Sequence, residues 1–322
     1  MTTVSEPEPV DRPVAAAPRA EAVVDYRSPT TPNGAAPVRS IQDVSRRQTL
    51  IAYAILLLGS VGFVIPFYFV VNGSLKSDAE VRAGEFITPP AKWADVHWRN
   101  YPRALAPDKL NFWPALSNTV FVTTFCVVGQ ILSSSLVGFG FSRFRFRGRG
   151  ILFIVMLSTM MLPAQVTMIP VFVLFRSLGL IDTFWPLIIP AWIAAPFYVF
   201  MFRQFFAQIP EELVEAARID GCSNWTIYWR LMLPLSGPVI AIVAIQTFMG
   251  SWNAFLEPLI YLNSPEHRTL TLALNGFKGQ YGNSDTHLLM AATVVCMLPC
   301  VVLFFAAQKY FVESVAMTGL KS

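Results

Sequence analysis

The chain has 322 residues, of which 54% are hydrophobic and 14% are charged, and its formal net charge is +4 at pH 7. So few charged side chains cannot cover the surface of a water-soluble protein of this length, and the composition excludes an ordinary soluble enzyme. We expect the lipid bilayer, and no nucleic acid, among its partners.

The first 45 residues are predicted to form a disordered cytoplasmic tail. They are rich in proline and alanine, carry charges of both signs and contain almost no aromatic side chains. Such a segment cannot bury enough apolar surface to offset the entropy that ordering would cost. The polar stretch is too long for a cleaved secretory signal, and the apolar run that follows has the length of a membrane span. Residues 46–322 should therefore form the membrane domain.

Six apolar segments are long enough to cross a hydrocarbon core of about 30 Å at about 1.5 Å per residue. The sequence therefore predicts an all-α polytopic membrane protein with six transmembrane helices. Six buried helices of a large soluble protein are the alternative, which is disfavoured because apolar runs of this length rarely lack charges there. The predicted spans cover about residues 50–71, 113–141, 151–175, 183–202, 235–257 and 288–308.

Arginines predict the orientation of these spans. Four of them lie in the short loop 142–150, whereas the short loop between the third and fourth spans offers only Arg176. Positive charge in short loops marks the cytoplasmic side. The loop 72–112 points the other way because it carries six Lys or Arg, but it spreads them over 41 residues. We expect the loops after the second and fourth spans, and both termini, in the cytoplasm.

Small residues and prolines predict how two of the spans pack. Ser134 and Gly138 form a small-xxx-small pair, so the second span should approach a neighbour closely. Pro186, Pro190 and Pro196 lie in the fourth span, and each is expected to kink or break it.

Residues 203–234, between the fourth and fifth spans, are predicted to form a polar helical hairpin. Pro210 lies where a helix can begin, and two glutamates in the first turn suit the positive end of the helix dipole. Gly221 is placed to end that helix with a positive φ, and Ser223 can cap a second helix. Such a hairpin would present small alanines to a groove on a partner. An amphipathic interfacial loop without a partner is the alternative.

The spacing within this hairpin resembles a known signature. Glu-Ala-Ala is followed after three residues by Gly, and after nine more by an aliphatic residue, one further residue and Leu-Pro. This pattern resembles the signature loop of ATP-binding-cassette importer permeases. Further segments resemble the carbohydrate-uptake branch, closest to the MalG-like permeases of maltose-type importers, and the resemblance covers roughly residues 45–322. These segments are residues 203–206, 209–213, 250–253, 279–282, 309–313 and 318–321.

The resemblance implies a function and a set of partners. In that family the signature loop inserts into a cleft on a cytoplasmic ATPase subunit. The chain would then be half of a heterodimeric pore in a bacterial cell membrane, with a second permease subunit, an extracytoplasmic solute-binding protein and a disaccharide or oligosaccharide as substrate. The residues expected to couple to the ATPase are Glu215, Ala216, Ala217, Asp220, Gly221, Leu231, Leu233 and Pro234.

Polar residues in the fifth span are candidates for the substrate pathway. Along a continuous helix from Pro234, Gln246 lies about 18 Å away, near midplane, and Asn253 about 28 Å away. An unpaired amide in hydrocarbon is unfavourable, so both should face a partner helix or a wet cavity. Trp252 and Asn253 would suit a sugar, although hydrogen bonding between helices explains the amides equally well. Glu257 should lie at the outer interface, as a gate or rim residue or as a helix-end acid.

Several kinds of chemistry have no residues to support them. The four cysteines and three histidines form no cluster suited to a metal, so we expect no metal site, cofactor or catalytic residue. No GxxxxGK[ST] phosphate loop is present, so ATP hydrolysis is expected in separate subunits.

An importer of another solute such as glycerol phosphate stays open as an alternative. An autonomous secondary transporter is less favoured, since only Glu257 offers an ionisable group for a relay, and a membrane enzyme less still.

Overall fold

The computed structural model describes residues 46–84, 96–277 and 285–319. Every regular element within these ranges is a helix, which confirms the all-α class. The contacts divide the chain into two units, residues 1–58 and 59–322. The predicted disordered tail lies outside the described residues.

The first long helix, α1 (Arg46–Ser74), includes all described residues of the first unit and continues into the second. Two short helices follow, α2 (Asp78–Arg82) and α3 (Asn100–Leu105). The next, α4 (Phe112–Arg143), has 32 residues and is therefore about 48 Å long. Both α1 and α4 are long and apolar enough to cross a membrane.

The third predicted span is not one straight helix. It consists of α5 (Arg149–Ser158), a 3₁₀ turn (Thr159–Met161) and α6 (Ala164–Ser177), and the two halves are bent by 97°. The segment predicted as a span, about 151–175, is thus divided into two helices, which form one candidate span only if the bent pair is counted together. Pro163 explains the break, because it has no N–H to donate and forces the preceding residue into an extended conformation.

The fourth predicted span contains the break that its prolines indicate. α7 (Trp185–Trp192) and α8 (Pro196–Gln208) are separated by residues 193–195, of which Ile193 and Ala195 have extended backbone. Together the two helices are long and apolar enough to cross a membrane. The predicted interruption is confirmed at Pro196, whereas Pro186 lies in the first turn of α7 and Pro190 lies inside that helix.

The segment after α8 contains short helical pieces of different types. α9 (Glu211–Ile219) is followed by a turn and by α10 (Asn224–Ile227). The chain then makes a π-helical turn (Tyr228–Met232) and a last short helix, α11 (Leu233–Leu235). A bend of 77° separates this stretch from α12 (Gly237–Trp252).

The fifth predicted span, about 235–257, also differs from the structure. α12 ends at Trp252, and a separate helix, α13 (Leu256–Tyr261), begins after a short break. The expectation of one continuous helix from Pro234 to Glu257 was therefore wrong. Pro258 accounts for the break, because it is tolerated in the first turn of a new helix but not in the interior of a long one.

The C-terminal part of the described chain contains a short helix, α14 (Leu270–Leu274), and a long one, α15 (Thr286–Gly319). The first 21 residues of α15, Thr286–Ala306, are long and apolar enough to cross a membrane. Over the described residues the structure thus has four candidate spans, or up to six if each bent pair is one span.

α4 lies at the centre of the second unit and packs against α7, α8 and α12. Small residues allow the close approach that the sequence predicts. A Cβ atom added to Gly138 would lie 2.7 Å from Phe202 Cβ, and one added to Gly129 would lie 2.4 Å from the Trp192 ring. Larger side chains at either position would push α7 or α8 away from α4.

Polar contacts hold a loop against the N-terminal end of α4. Asn118 Nδ2 donates to the carbonyls of Glu266 and Arg268, at 2.7 and 3.0 Å. The Asp182 carboxylate accepts hydrogen bonds from the backbone N–H groups of Asn263 and Ser264, at 2.8 and 2.9 Å, and from the Ser264 hydroxyl. These hydrogen bonds, that from the Ser264 side chain first, hold the pKa of Asp182 well below its ordinary value.

Candidate coupling segment and transport cavity

The first candidate site is residues 211–235, which we call the coupling segment. Its first helix, α9, follows Pro210, whose ψ of 137° is extended, and begins with Glu211 and Glu212. These carboxylates lie where the helix dipole is positive, and Arg218 lies in the last turn, where it is negative. The predicted start of this helix is confirmed.

The turn after α9 is built as the sequence predicts. Gly221 has a φ of +80°, a conformation that strains any residue with a Cβ atom. The Ser223 hydroxyl accepts a hydrogen bond from the backbone N–H of Thr226 at 3.2 Å and so caps α10. Two helices therefore meet at a tight turn with defined backbone geometry.

One side of the coupling segment is exposed and the other is buried. Val214 is 2% exposed, whereas Ile219 is 85% exposed. Of the predicted coupling residues, three are half-buried, namely Ala217, Leu231 and Leu233. The other predicted coupling residues are exposed, namely Glu215, Ala216, Asp220, Gly221 and Pro234.

The buried side of the segment packs into an aromatic cluster. Val214, Ile227 and Met232 contribute apolar side chains, and Tyr228 is 1% exposed. The cluster is completed by Phe139 of α4, Phe202 and Phe206 of α8, and Val239 and Val243 of α12. The segment is thus fixed to three helices of the bundle by its apolar face.

The second candidate site is a cavity of about 450 Å³ between α4, α7, α8, α12 and α13. Such a volume lies within the range of about 300–1,000 Å³ that is usual for small-molecule sites. It is lined by Thr119, Val122, Cys126, Gln130, Pro186, Leu187, Pro190, Ala191, Tyr198, Gln246, Thr247, Gly250, Ser251, Ala254, Glu257, Pro258 and Thr269.

Several polar groups in this cavity have unused hydrogen-bonding capacity. Within the described part of the chain, the buried hydroxyl oxygens of Thr247 and Thr269 have no hydrogen-bond partner. Gln130 is buried and donates to the Ser134 hydroxyl at 2.6 Å, which leaves its amide oxygen available. A buried polar atom without a partner is unfavourable, so the cavity suits water or a ligand rich in hydroxyl groups.

Two of the four residues predicted for the substrate pathway line this cavity. Gln246 reaches it from α12 and Glu257 from α13. Because α12 ends before Glu257, the distance along a continuous helix that placed this residue at the outer interface does not apply. Glu257 also borders a second, more apolar cavity of about 500 Å³ between α6, α7 and α13.

The other two residues predicted for the pathway do not line the 450 Å³ cavity. Trp252 is 5% exposed, stacks on Phe248 with 5.2 Å between ring centroids, and donates from Nε1 to the Cys296 carbonyl at 3.2 Å. Its indole is therefore committed to packing against α15. Asn253 is exposed at the end of α12, and its Nδ2 donates to the Met249 carbonyl at 2.8 Å.

Comparison with known proteins agrees with this architecture. Residues 130–317 match the family described as binding-protein-dependent transport system inner membrane component. The chain belongs to this family. The match includes both the coupling segment and most of the residues around the cavity. It also includes α8, α12 and all but the last two residues of α15.

Individual members of this permease family are similar over most of their length. The arabinooligosaccharides transport system permease protein AraQ of Halalkalibacterium halodurans is 39% identical over 65% of this chain and 75% of its own. The diacetylchitobiose uptake system permease protein NgcG of Streptomyces coelicolor is 30% identical over an alignment that covers 86% of this chain and 91% of NgcG. A crystal structure of a bacterial ABC transporter involved in the import of the acidic polysaccharide alginate contains a chain with a TM-score of 0.72. That chain is 27% identical, and the alignment covers 83% of this chain and 99% of that one.

Two residues of this permease make contacts that sequence reasoning missed. Arg143, read from the sequence only as a topology signal, donates from Nη2 to the Phe206 and Ile209 carbonyls at 2.6 and 2.7 Å. Tyr228, grouped in the sequence with two other aromatic residues of the segment, forms a buried hydrogen bond with Ser135 at 2.7 Å. Trp225 and Trp229 are 59% and 41% exposed, so the three aromatic residues do not share one environment.

Proposed function

We propose that this chain is the permease subunit of an ATP-driven bacterial importer of a disaccharide or oligosaccharide. It forms half of the translocation pathway beside a second permease subunit, and a solute-binding protein delivers the sugar. Separate cytoplasmic subunits hydrolyse ATP. The observation that carries this proposal is a cavity with several hydrogen-bonding side chains in its wall, within a helical bundle whose central helix, α4, also supports an exposed helical segment.

The coupling segment supports the proposed contact with an ATPase subunit. Glu215, Ala216 and Asp220 are exposed beside Ile219, so α9 offers carboxylates and a large apolar side chain to a partner. Val214 anchors the same helix to the bundle. A movement of the ATPase subunits on binding ATP would therefore reach the spans through α9, and the two permease halves would rock around the substrate.

Contacts within the bundle support the proposed cytoplasmic position of this segment. The hydrogen bonds from Arg143 to Phe206 and Ile209 bring the start of the arginine-rich loop 142–150 next to the entry to α9. A short loop with several arginines favours the cytoplasmic side. The coupling segment then lies on the side where ATP is found, with both termini on that side.

The cavity supports a neutral sugar as the substrate. Gln246, Thr247, Ser251 and Glu257 offer donors and acceptors to hydroxyl groups, and no Lys or Arg occurs among the described lining residues. A Glu257 carboxylate without a compensating cation disfavours an anionic ligand. Glycerol phosphate and acidic sugars are thus less suitable than neutral ones, and Trp252 contributes by packing the bundle.

The test is uptake into liposomes by the complete complex, purified through a tag on this chain together with its native partners. Radiolabelled maltose, arabinotriose and diacetylchitobiose represent neutral substrates, and a uronate trisaccharide of the alginate type represents acidic ones. We expect uptake of at least one neutral sugar that requires ATP inside the liposomes and the solute-binding protein outside. The uronate should not compete at equal concentration.

Two outcomes would contradict the proposal in different ways. Uptake by this chain alone, without ATP or partner subunits, would identify an autonomous transporter. ATP-dependent uptake of glycerol phosphate or of the uronate, with no uptake of the neutral sugars, would keep the permease function but reject the assignment of the substrate.

A further inference from the structure

Arg143 joins the C-terminal end of α4 to the point where the chain enters the coupling segment. Its guanidinium donates to the carbonyls of Phe206, in the last turn of α8, and of Ile209, which follows that helix. The Phe206 carbonyl also accepts a hydrogen bond from the Ile209 N–H at 3.3 Å, and the charged donor adds a stronger kind of hydrogen bond at this helix end. The next residue is Pro210, at which α9 begins.

Tyr228 joins α4 to the chain where it leaves α10. Its hydroxyl lies 2.7 Å from the Ser135 hydroxyl in a buried environment. Ser135 Oγ also lies 3.2 Å from the Leu132 carbonyl, to which it donates its single proton. Tyr228 is therefore the donor in the bond to Ser135. The Tyr228 ring contacts the ring of Phe139, with 5.5 Å between centroids.

The two attachment points lie on one helix: Arg143 holds the chain just before the coupling segment, and Ser135 holds the segment itself at Tyr228. Ser135 and Arg143 are eight residues apart, or about 12 Å along the axis of α4. The chain enters α9 beside Arg143 and leaves α10 beside Ser135. A segment fixed at two separated points on a helix cannot rotate about either one without moving that helix.

The local backbone beside Tyr228 has a geometry that is uncommon in helices. Tyr228 begins the π-helical turn that ends at Met232, and π turns occur mainly as single insertions, often at functional sites. Pro234 has no N–H to donate to the Arg230 carbonyl four residues earlier. The π turn therefore accommodates the missing hydrogen bond at this proline. It also directs the Tyr228 side chain toward α4.

The opposite part of α4 lines the cavity. Thr119, Val122, Cys126 and Gln130 all contribute to its wall. The same rigid element thus carries both attachment points near one end and cavity-lining side chains nearer the other. A shift of α4 would change the position of these side chains relative to Gln246 and Glu257.

We propose that α4 transmits the movement of the coupling segment to the cavity, and that Arg143 and Tyr228 are the positioning residues that lock the segment to this helix. This inference rests on the proposed function and specifies how its coupling is achieved. The apolar contacts of Val214, Ile227 and Met232 keep the segment folded on the bundle. Loss of the polar contacts should therefore loosen the segment without detaching it.

The experiment compares the ratio of sugar transported to ATP hydrolysed in the reconstituted complex. The sugar is whichever neutral member of the panel above gives the fastest uptake. The variants are Arg143→Met, which keeps a long aliphatic chain, and Tyr228→Phe, which removes only the hydroxyl. Arg145→Met is the matched control, because Arg145 is exposed two residues further along the same loop.

We expect Arg143→Met to keep its ATPase partner and its hydrolysis, while the transport ratio falls by at least about tenfold, the equilibrium change equivalent to one of the two charge-assisted hydrogen bonds that it removes. Arg143→Lys should recover part of the ratio, since an ammonium can donate to the same carbonyls. Tyr228→Phe and Ser135→Ala should each lower the ratio to a similar extent, and the double variant should be no worse than either alone.

An unchanged ratio in Arg143→Met and Tyr228→Phe would overturn the inference, as would additive effects of Tyr228→Phe and Ser135→Ala. Equal loss in Arg145→Met would assign the effect to loop charge, which also overturns it. If Arg143→Met fails to assemble, Arg143→Lys and Tyr228→Phe decide the matter. Failure of the wild-type complex to couple ATP to uptake would contradict the proposed function itself, so the two failures are distinguishable.

Discussion

The two ends of α4 are both packed in buried apolar clusters, but they differ in their polar contacts. At the N-terminal end, beside a cluster that includes Ala115 and Leu270, Asn118 donates exposed hydrogen bonds of 2.7 and 3.0 Å to the backbone of the loop that precedes α14. At the C-terminal end, Phe139 lies in a cluster of buried aromatic rings, and the polar contacts of Ser135 and Arg143 border it.

This difference has a consequence for how each end responds to change. The exposed hydrogen bonds of Asn118 exchange with water at a net cost of about 1 kcal/mol each, so the loop 262–268 can rearrange there one contact at a time. A packed aromatic cluster has little free volume and shifts as a unit. The C-terminal end is therefore suited to passing on a movement, and the N-terminal end to adapting to a partner.

The largest expected effect follows from truncating the buried cluster. Phe206 is 0% exposed, so Phe206→Ala should destabilise the assembled complex by about 3–5 kcal/mol because it removes a ring and leaves a cavity. Thermal unfolding of the complex in detergent measures this change. Asn118→Ala, at the other end of α4, is the comparison and should lower the unfolding temperature much less. Equal losses in the two variants would remove the distinction between the ends.

A second effect concerns the exposed side of the coupling segment. If Glu215 forms a desolvated ion pair with the ATPase, Glu215→Ala should weaken the association by about 2–5 kcal/mol. Gly221→Val should add strain of about 1–2 kcal/mol because Gly221 has a positive φ. Co-purification of the ATPase with the tagged chain measures both. Glu266→Ala, an exposed glutamate near the N-terminal end of α4, should leave co-purification unchanged.

Changes in the cavity should act on sugar affinity and leave assembly intact. Gln246→Leu and Glu257→Gln each remove a hydrogen-bonding option at a cost of about 1–2 kcal/mol, so the half-saturating sugar concentration should rise by about five- to thirtyfold. Uptake kinetics measure this constant. Unchanged constants in both variants would assign sugar recognition to the second permease subunit.

The smallest effect is a pH dependence at the N-terminal end. The pKa of Asp182 is lowered in the folded protein, so the contribution of its carboxylate is complete above the ordinary pKa of an aspartate. That contribution is lost only as the pH falls through the lowered value. The loop 262–268 should therefore keep its protection from hydrogen exchange through mildly acidic pH. In Asp182→Asn the protection should be weaker at every pH above the lowered pKa, and a wild-type loss of protection near neutral pH would contradict this assignment.

Local backbone features were readable from the sequence because they depend on few neighbours. A positive φ at Gly221, a cap at Ser223 and a break before Pro196 each follow from the chemistry of one residue. The close approach at Gly138 follows from its lack of a side chain. Gly221 and Ser223 shape the coupling segment, and Pro196 and Gly138 determine where α8 begins and how closely it packs.

The breaks within two predicted spans were missed although prolines mark both. Pro163 and Pro258 interrupt long apolar runs, and hydropathy alone does not register the lost N–H donor. If the helix is taken to continue unbroken from Pro234 to Glu257, the position of Glu257 is calculated along a helix that the structure does not contain. Proline alone is not a sufficient signal, because α1, α6 and α15 continue through Pro66, Pro170 and Pro299.

Other contacts could not be read from the sequence because their partners are distant along the chain. The carbonyls that Arg143 binds are 63 and 66 residues away, and the Cys296 carbonyl that Trp252 binds is 44 residues away. A span that is apolar on all sides also gives no signal for which side faces a cavity. Trp252 and Gln246 therefore looked equivalent, although one is packed against α15 and the other lines the cavity.

The proposed docking of the coupling segment can be tested directly by photo-crosslinking in the native complex. p-Benzoylphenylalanine replaces Ile219, which is 85% exposed on α9, and in a second sample replaces Glu266, which is exposed near the N-terminal end of α4. We expect irradiation to join position 219 to the ATPase subunit and position 266 to the solute-binding protein. A crosslink of position 266 to the ATPase, or its absence at position 219 in an assembled complex, would contradict the proposed coupling.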